Sequence, residues 1–78
     1  MTDAELTLRG DHIALDALLK ACGLCSSGGA AKILIAAGGV QVDGLVELRR
    51  GRKLRAGQIV AVDAQRVRVI APIASDAA

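Results

Sequence analysis

The chain has 78 residues, which is the length of one small domain, and its 53% apolar content excludes a disordered protein. It has no Phe, Tyr or Trp, so the core must be built from Leu, Ile, Val and Ala. Single-strand-binding proteins usually stack bases on such aromatic side chains, so this mode of binding is not expected here. The net charge of +2 is modest, and any nucleic-acid contact is expected to use phosphates, sugars and shape.

No apolar run approaches the roughly 20 residues of a membrane span. The N-terminal residues 1–5 are acidic and lack the basic and then apolar order of a signal peptide. We therefore expect a cytoplasmic protein with no membrane partner, in which the two cysteines stay reduced.

The first part of the chain predicts a strand and then a helix. Residues 5–9 alternate between polar and apolar side chains, as a half-exposed strand does. Apolar residues then follow helical spacing over residues 13–21. Asp11 is the candidate N-cap of this helix and Gly23 its candidate end.

A second helix and a group of strands follow. Ser26 or Ser27 can cap the helix, and Gly38 with Gly39 ends it. Asp43-Gly44 then predicts a tight hairpin between residues 40–42 and 45–48. Further strands are predicted at residues 59–62 and 67–70.

These patterns predict an α+β fold, with two N-terminal helices packed on a small antiparallel sheet. Residues 1–72 form a single domain, and we expect residues 73–78 to be a disordered tail.

The order of motifs resembles the S4-like RNA-binding domain over residues 12–62. The residues that carry the resemblance are Leu15-Asp16 with Leu19, Gly23, Ser27, Ala31-Lys32, Leu34-Ile35, Gly38, Val40, Val42, Asp43-Gly44 and Gly57-Gln58. The resemblance implies the alpha-L fold of that family and RNA binding. Ala14 and Gly28 stand where the family usually has Arg, so the usual helix-borne contacts are missing. The chain is similar to small, stand-alone bacterial S4-domain proteins.

A cationic stretch follows the predicted hairpin, and we call residues 49–55 the basic loop. Residues 44–70 contain seven cations and two acids, and five of those cations lie in the basic loop: Arg49, Arg50, Arg52, Lys53 and Arg55. Guanidinium and ammonium groups bind phosphate and release its counterions, so we predict that these five side chains are the main phosphate clamp. The alternative is a solvated turn that keeps the protein soluble. Arg66 and Arg68 alternate with valines and are expected on the exposed side of a strand.

A second RNA contact is predicted at the start of the second helix. The Ser27 hydroxyl and the amides of the helix that follows could bind an anion, with Lys32 near the same helix end. Gly28 and Gly29 would let a phosphate approach closely. Gln41 lies between two apolar residues that we expect to be buried, so it would point outward to a sugar or base edge.

The pair Cys22 and Cys25 forms a Cys-x-x-Cys motif without a second pair to complete a zinc site. Cys22 continues the apolar stripe of the first helix and is expected in the core. His12 has no evident nucleophile to activate. We therefore predict no catalytic residue, no metal site and no cofactor.

The sequence thus predicts a non-enzymatic RNA-binding protein. It would be a monomer that holds structured RNA, either ribosomal or transfer RNA, and the ribosome is a further candidate partner. Two alternatives stay open: a module that docks on an acidic protein, and a thiol or metal protein that uses the two cysteines.

Overall fold

The structure is a computed structural model that describes residues 2–72, and the predicted tail at residues 73–78 lies outside the described residues. Its elements in chain order are β1 (Thr2–Thr7), β2 (Ile13–Ala14), α1 (Leu15–Ala21), α2 (Gly28–Ala36), β3 (Gln41–Val42), β4 (Leu45–Val46), β5 (Lys53–Leu54), β6 (Ile59–Val62) and β7 (Gln65–Ile70). The α+β prediction is confirmed. Both helices follow β1, so a strand precedes them, and no helix in the described residues is long and apolar enough to cross a membrane.

The main sheet is mixed, with the strand order β1-β7-β6-β3-β4. Strands β3, β4, β6 and β7 pair antiparallel, as predicted. Strand β1 pairs parallel with β7, with Thr2 opposite Gln65 and Thr7 opposite Ile70, so the prediction of an antiparallel sheet is wrong at this edge. Alternation of side chains shows which face of a strand is buried but carries no information on strand direction.

Helix α1 begins later than the sequence predicted. Ile13 and Ala14 form strand β2, which pairs antiparallel with β5 in a separate two-stranded sheet. Ala14 is the N-cap residue and makes no side-chain capping bond, so the predicted cap at Asp11 is wrong. The first two helical amides instead donate to backbone carbonyls of the basic loop, and the Ala17 amide donates to Asp16 Oδ1 at 2.8 Å.

Helix α2 begins and ends as predicted. Ser27 is its N-cap, and the Ser27 Oγ accepts a hydrogen bond from the Ala30 amide at 3.1 Å. Gly38 follows the helix with φ +80°, a conformation that favours glycine. Gly39 packs so closely on Leu34 that a Cβ there would lie 2.6 Å from Leu34 Cδ1.

The tight hairpin is confirmed, because Asp43 and Gly44 both adopt positive φ between β3 and β4. The returning strand covers residues 45–46 and not 45–48. One core joins both helices to both sheets. Its buried members are Leu8, Leu15, Leu18, Leu19, Cys25, Ala31, Ile35, Val40, Val42, Leu54, Val60, Val62, Val67 and Val69.

Candidate nucleic-acid interface

The backbone of the basic loop is fixed against the rest of the fold. The Leu15 amide donates to the Arg52 carbonyl at 2.9 Å, and the Asp16 amide donates to the Arg50 carbonyl at 3.0 Å. Strand β5 lies within the loop, and its Leu54 side chain is fully buried. The sequence did not predict β5, because a two-residue strand is too short to show alternation. The cationic side chains are therefore displayed from an ordered segment.

Glu47 lies at the base of the basic loop, and its side chain is only 9% exposed. Its amide donates to the Val40 carbonyl, which ties it to the start of the hairpin. Glu47 Oε2 accepts from the Arg49 amide at 3.1 Å and from Arg49 Nε at 3.0 Å. Glu47 Oε1 accepts from Arg52 Nη1 at 2.6 Å and from Arg49 Nη2 at 3.5 Å.

The ionised form of Glu47 is strongly favoured. Hydrogen bonds from the Arg49 and Arg52 side chains, and then from the Arg49 backbone, lower the Glu47 pKa to about 2. The same pair raises the pKa of Arg49. Sequence reasoning assigned no role to Glu47. The sequence feature that could have indicated a role is a single acid two residues before a run of cations.

Arg49 and Arg52 keep unused donors while they bind Glu47. The Arg49 side chain is 74% exposed and that of Arg52 is 33% exposed. A guanidinium carries five N–H groups, and the bonds to Glu47 use two from Arg49 and one from Arg52. The remaining N–H groups can therefore bind a phosphate oxygen without breaking the pairs.

Arg50 and Lys53 differ from the other cations of the basic loop. Both are exposed, and within residues 2–72 their side chains make no hydrogen bond or ion pair. Neither has an internal carboxylate to displace before it binds an external anion. Their charges are consequently the most available in the loop.

Arg55 lies beside Asp11. Arg55 Nη1 is 3.7 Å from Asp11 Oδ2 and donates to the Asp11 carbonyl oxygen at 3.4 Å. The Asp11 carboxylate also contacts His12 Nδ1 at 2.7 Å. That hydrogen bond and the electrostatic interaction with His12 lower the pKa of Asp11, with a smaller contribution from Arg55. All three groups are exposed, so a phosphate could replace Asp11 at Arg55 at little cost.

Ser27, Lys32 and Gln41 are exposed, as predicted. Gln41 lies between buried Val40 and Val42. In the described part of the chain, no hydrogen bond or ion pair connects these three side chains to the basic loop.

Two other cations face acids of strand β1. Arg66 Nε donates to Asp3 Oδ1 at 3.2 Å, and Arg68 lies opposite Glu5 in the strand register. The prediction that Arg66 and Arg68 are exposed is confirmed. Their nearby acids offset the positive charge on this side of the sheet.

Cys22 and Cys25 are both free thiols. Burial raises the pKa of Cys22, which disfavours the thiolate that redox chemistry and metal binding require. Cys25 belongs to the core, and Cys22 packs against it partly buried. Among residues 2–72, no three His, Cys, Asp or Glu side chains are grouped closely enough to hold a metal ion.

Most of the chain matches known proteins. The S4 domain family model matches residues 6–70. The Escherichia coli (strain K12) protein named "Putative RNA-binding protein YbcJ" is 48% identical over 60 residues, which cover 77% of this chain and 86% of that protein. A YbcJ protein of Shigella flexneri, named as uncharacterized, gives the same identity and coverage.

A solved structure gives the same assignment. The solution structure of E. coli YbcJ superposes with a TM-score of 0.64 and 43% sequence identity, over 90% of this chain and 87% of that one. It is described as revealing an αL motif involved in RNA-binding. The predicted resemblance to stand-alone bacterial S4-domain proteins is thereby confirmed.

Proposed function

The chain belongs to the S4 domain family, and from this premise we propose that it is a non-enzymatic protein that binds structured RNA through its basic loop. The main support for the proposal is the environment of Arg50 and Lys53. Both are exposed and without an ion pair in residues 2–72, on a loop whose backbone is bonded to α1.

The energetics of this site favour backbone recognition. Each phosphate that an Arg or Lys neutralises releases condensed counterions, so affinity comes largely from a salt-dependent term. The chain has no Phe, Tyr or Trp for stacking on exposed bases, and His12 is its only aromatic ring. The basic loop therefore suits a target with a fixed arrangement of phosphates, as in folded RNA.

A second contact is proposed at the start of α2. The Gly28 and Gly29 amides have no hydrogen-bond acceptor within residues 2–72, so they can donate to a phosphate beside the Ser27 hydroxyl. A Cβ at Gly28 would meet no atom within 4 Å, so the free protein does not require glycine there. A partner that approaches closely would require it. Lys32 and Gln41 complete this proposed contact.

We further propose that the RNA is ribosomal or transfer RNA and that the protein works as a cytoplasmic monomer, with the ribosome as one candidate partner. Sequencing of RNA cross-linked to the protein in cells identifies the target. Recovery of neither RNA class above background would reject this part of the proposal.

The experiment that tests RNA binding is a titration of a fluorescein-labelled RNA hairpin at several KCl concentrations. Neutralising about four phosphates gives a slope of log affinity against log salt of roughly −3 to −4. Replacing Arg50, Arg52 and Lys53 together with Gln should abolish binding while the circular dichroism spectrum stays unchanged. A flat salt dependence, or unchanged binding by the triple variant, would reject the basic loop as the site.

A second candidate function is docking on an acidic protein. Its support is the exposed apolar set directly before the basic loop, formed by Leu45, Val46 and Leu48. Affinity purification with and without ribonuclease separates the two functions. A protein partner that survives both ribonuclease and high salt favours docking, whereas loss of all partners after ribonuclease favours RNA binding.

A further inference from the structure

One buried acid, Glu47, lies at the base of the basic loop, beside cations that are proposed to bind an anion. A carboxylate in this place lowers the positive potential and would weaken phosphate binding if charge alone mattered. The core does not need it, since its carboxylate bonds only to groups of Arg49 and Arg52. Glu47 is buried and bonds to two residues that are proposed to bind phosphate. Neither its charge nor the core explains why a carboxylate lies there.

The geometry of Glu47 supplies that explanation. Both carboxylate oxygens are engaged, and the residue is anchored to β3 by its amide bond to the Val40 carbonyl. Arg49 is held through Nε and Nη2, which fixes the plane of its guanidinium. Arg52 is held through Nη1 by the shorter bond of 2.6 Å.

We propose that Glu47 is a positioning residue that orients the Arg49 and Arg52 guanidiniums for binding to RNA phosphates. This proposal rests on the proposed function and deepens it. The two guanidiniums lose less conformational freedom on binding because they are ordered beforehand, and their unused N–H groups stay directed away from the carboxylate. The arrangement resembles the outer carboxylates that orient histidine ligands in metal sites.

Positioning and charge predict opposite results for Glu47→Gln. The variant keeps the size of the side chain and removes one negative charge beside the basic loop. If charge dominates, RNA binding becomes tighter and its salt slope steeper. If Glu47 positions the arginines, the variant binds the labelled RNA hairpin about threefold to tenfold more weakly at moderate salt. Asp63→Asn is the matched control, because it removes one negative charge at an exposed turn where Asn accepts the φ of +53°.

Two further measurements separate positioning from a general effect on the fold. In the background Arg49→Gln/Arg52→Gln, the Glu47→Gln change should no longer weaken RNA binding, because the residues it acts through are gone. Arg52→Lys keeps the charge but loses the planar donor group, and should weaken binding. Weaker RNA binding caused by Glu47→Gln in the double-Gln background, or full binding by Arg52→Lys, would overturn the proposal.

NMR of the free protein tests the positioning role without RNA, so its result does not depend on the proposed function. In the nitrogen-correlated NMR spectrum of the free protein, the Arg49 Nε–H signal should be resolved and protected from exchange, and Glu47→Gln should return it to the position of solvated arginines. Wild-type protein that fails to bind the hairpin rejects the proposed function. Wild-type binding that is unchanged or tightened by Glu47→Gln, or an Arg49 signal that is insensitive to Glu47, rejects the positioning role.

Discussion

Residues of the basic loop that look equivalent in the sequence have three different environments in the structure. Arg49 and Arg52 bind Glu47, and Arg55 lies beside Asp11. Arg50 and Lys53 have no such partner within residues 2–72. A charge count predicts that the five cations contribute equally to RNA binding. The ion pairs instead predict that Arg50 and Lys53 contribute more than the other three, because neither is paired with an acid in that part of the chain.

The low pKa of Glu47 predicts a specific pH dependence of stability. The folded-state pKa of about 2 lies below the ordinary value of 4.5, so the ionised form stabilises the folded protein above pH 4.5. This stabilisation is lost progressively as the pH falls from 4.5 toward 2. Urea unfolding at a series of pH values should show a smaller decline across this window for Glu47→Gln than for the wild type. Parallel curves would mean that the carboxylate is not bonded as described.

Gly28 provides a second prediction at the scale of one residue. Gly28→Ala should raise the free energy of unfolding by up to about 1 kcal/mol, because Ala has the higher helix propensity and meets no atom in the folded protein. The same change should weaken RNA binding about fivefold, or about 1 kcal/mol, because the methyl group blocks a closely approaching phosphate. Gly10→Ala, at a position equally free of contacts, is the control. Unchanged RNA binding by Gly28→Ala would remove the start of α2 from the interface.

At the scale of elements, the α2 cap and the hairpin turn could be predicted from the sequence, whereas the start of α1 and the direction of β1 could not. Ser27 and the Asp43-Gly44 turn act locally, so their roles could be predicted. Strands β2 and β5 each have two residues, and they pair with the buried Leu54 opposite Ile13. That pairing connects positions 13 and 54 and gives no periodic signal in either segment. The contact between the basic loop and α1 could not be predicted for the same reason. It depends on hydrogen bonds to backbone carbonyls, which have no sequence signature.

The hairpin that precedes the basic loop should depend on its glycine. Gly44 has φ +85°, where an L-residue with a side chain is strained by about 1–2 kcal/mol. Gly44→Ala should therefore lower the free energy of unfolding by about that amount in urea denaturation. Gly51→Ala is the matched control, because Gly51 has no positive φ and no atom within 4 Å of the added carbon. Equal stability of the two variants would argue against the tight turn.

At the scale of the whole molecule, the distribution of charge matters more than its total. The net charge is only +2, and the acids Asp3 and Glu5 on β1 face Arg66 and Arg68 on β7. Among the residues described, Glu47 is the only acid within bonding distance of Arg49 and Arg52 of the basic loop. The molecule is therefore expected to attract RNA from one side, although it is nearly neutral overall.

This asymmetry gives a prediction that compares two variants of equal net charge. Arg50→Gln/Lys53→Gln and Arg66→Gln/Arg68→Gln each remove two positive charges. The first pair should lower the magnitude of the salt slope by about 2, because two phosphate contacts with their released counterions are lost. The second pair should leave the slope nearly unchanged, because Arg66 already bonds to Asp3 and Arg68 faces Glu5. Affinity measured against KCl concentration distinguishes the outcomes. Equal reductions in the two variants would show that RNA responds to the total charge, and the basic loop would then have no special place in binding.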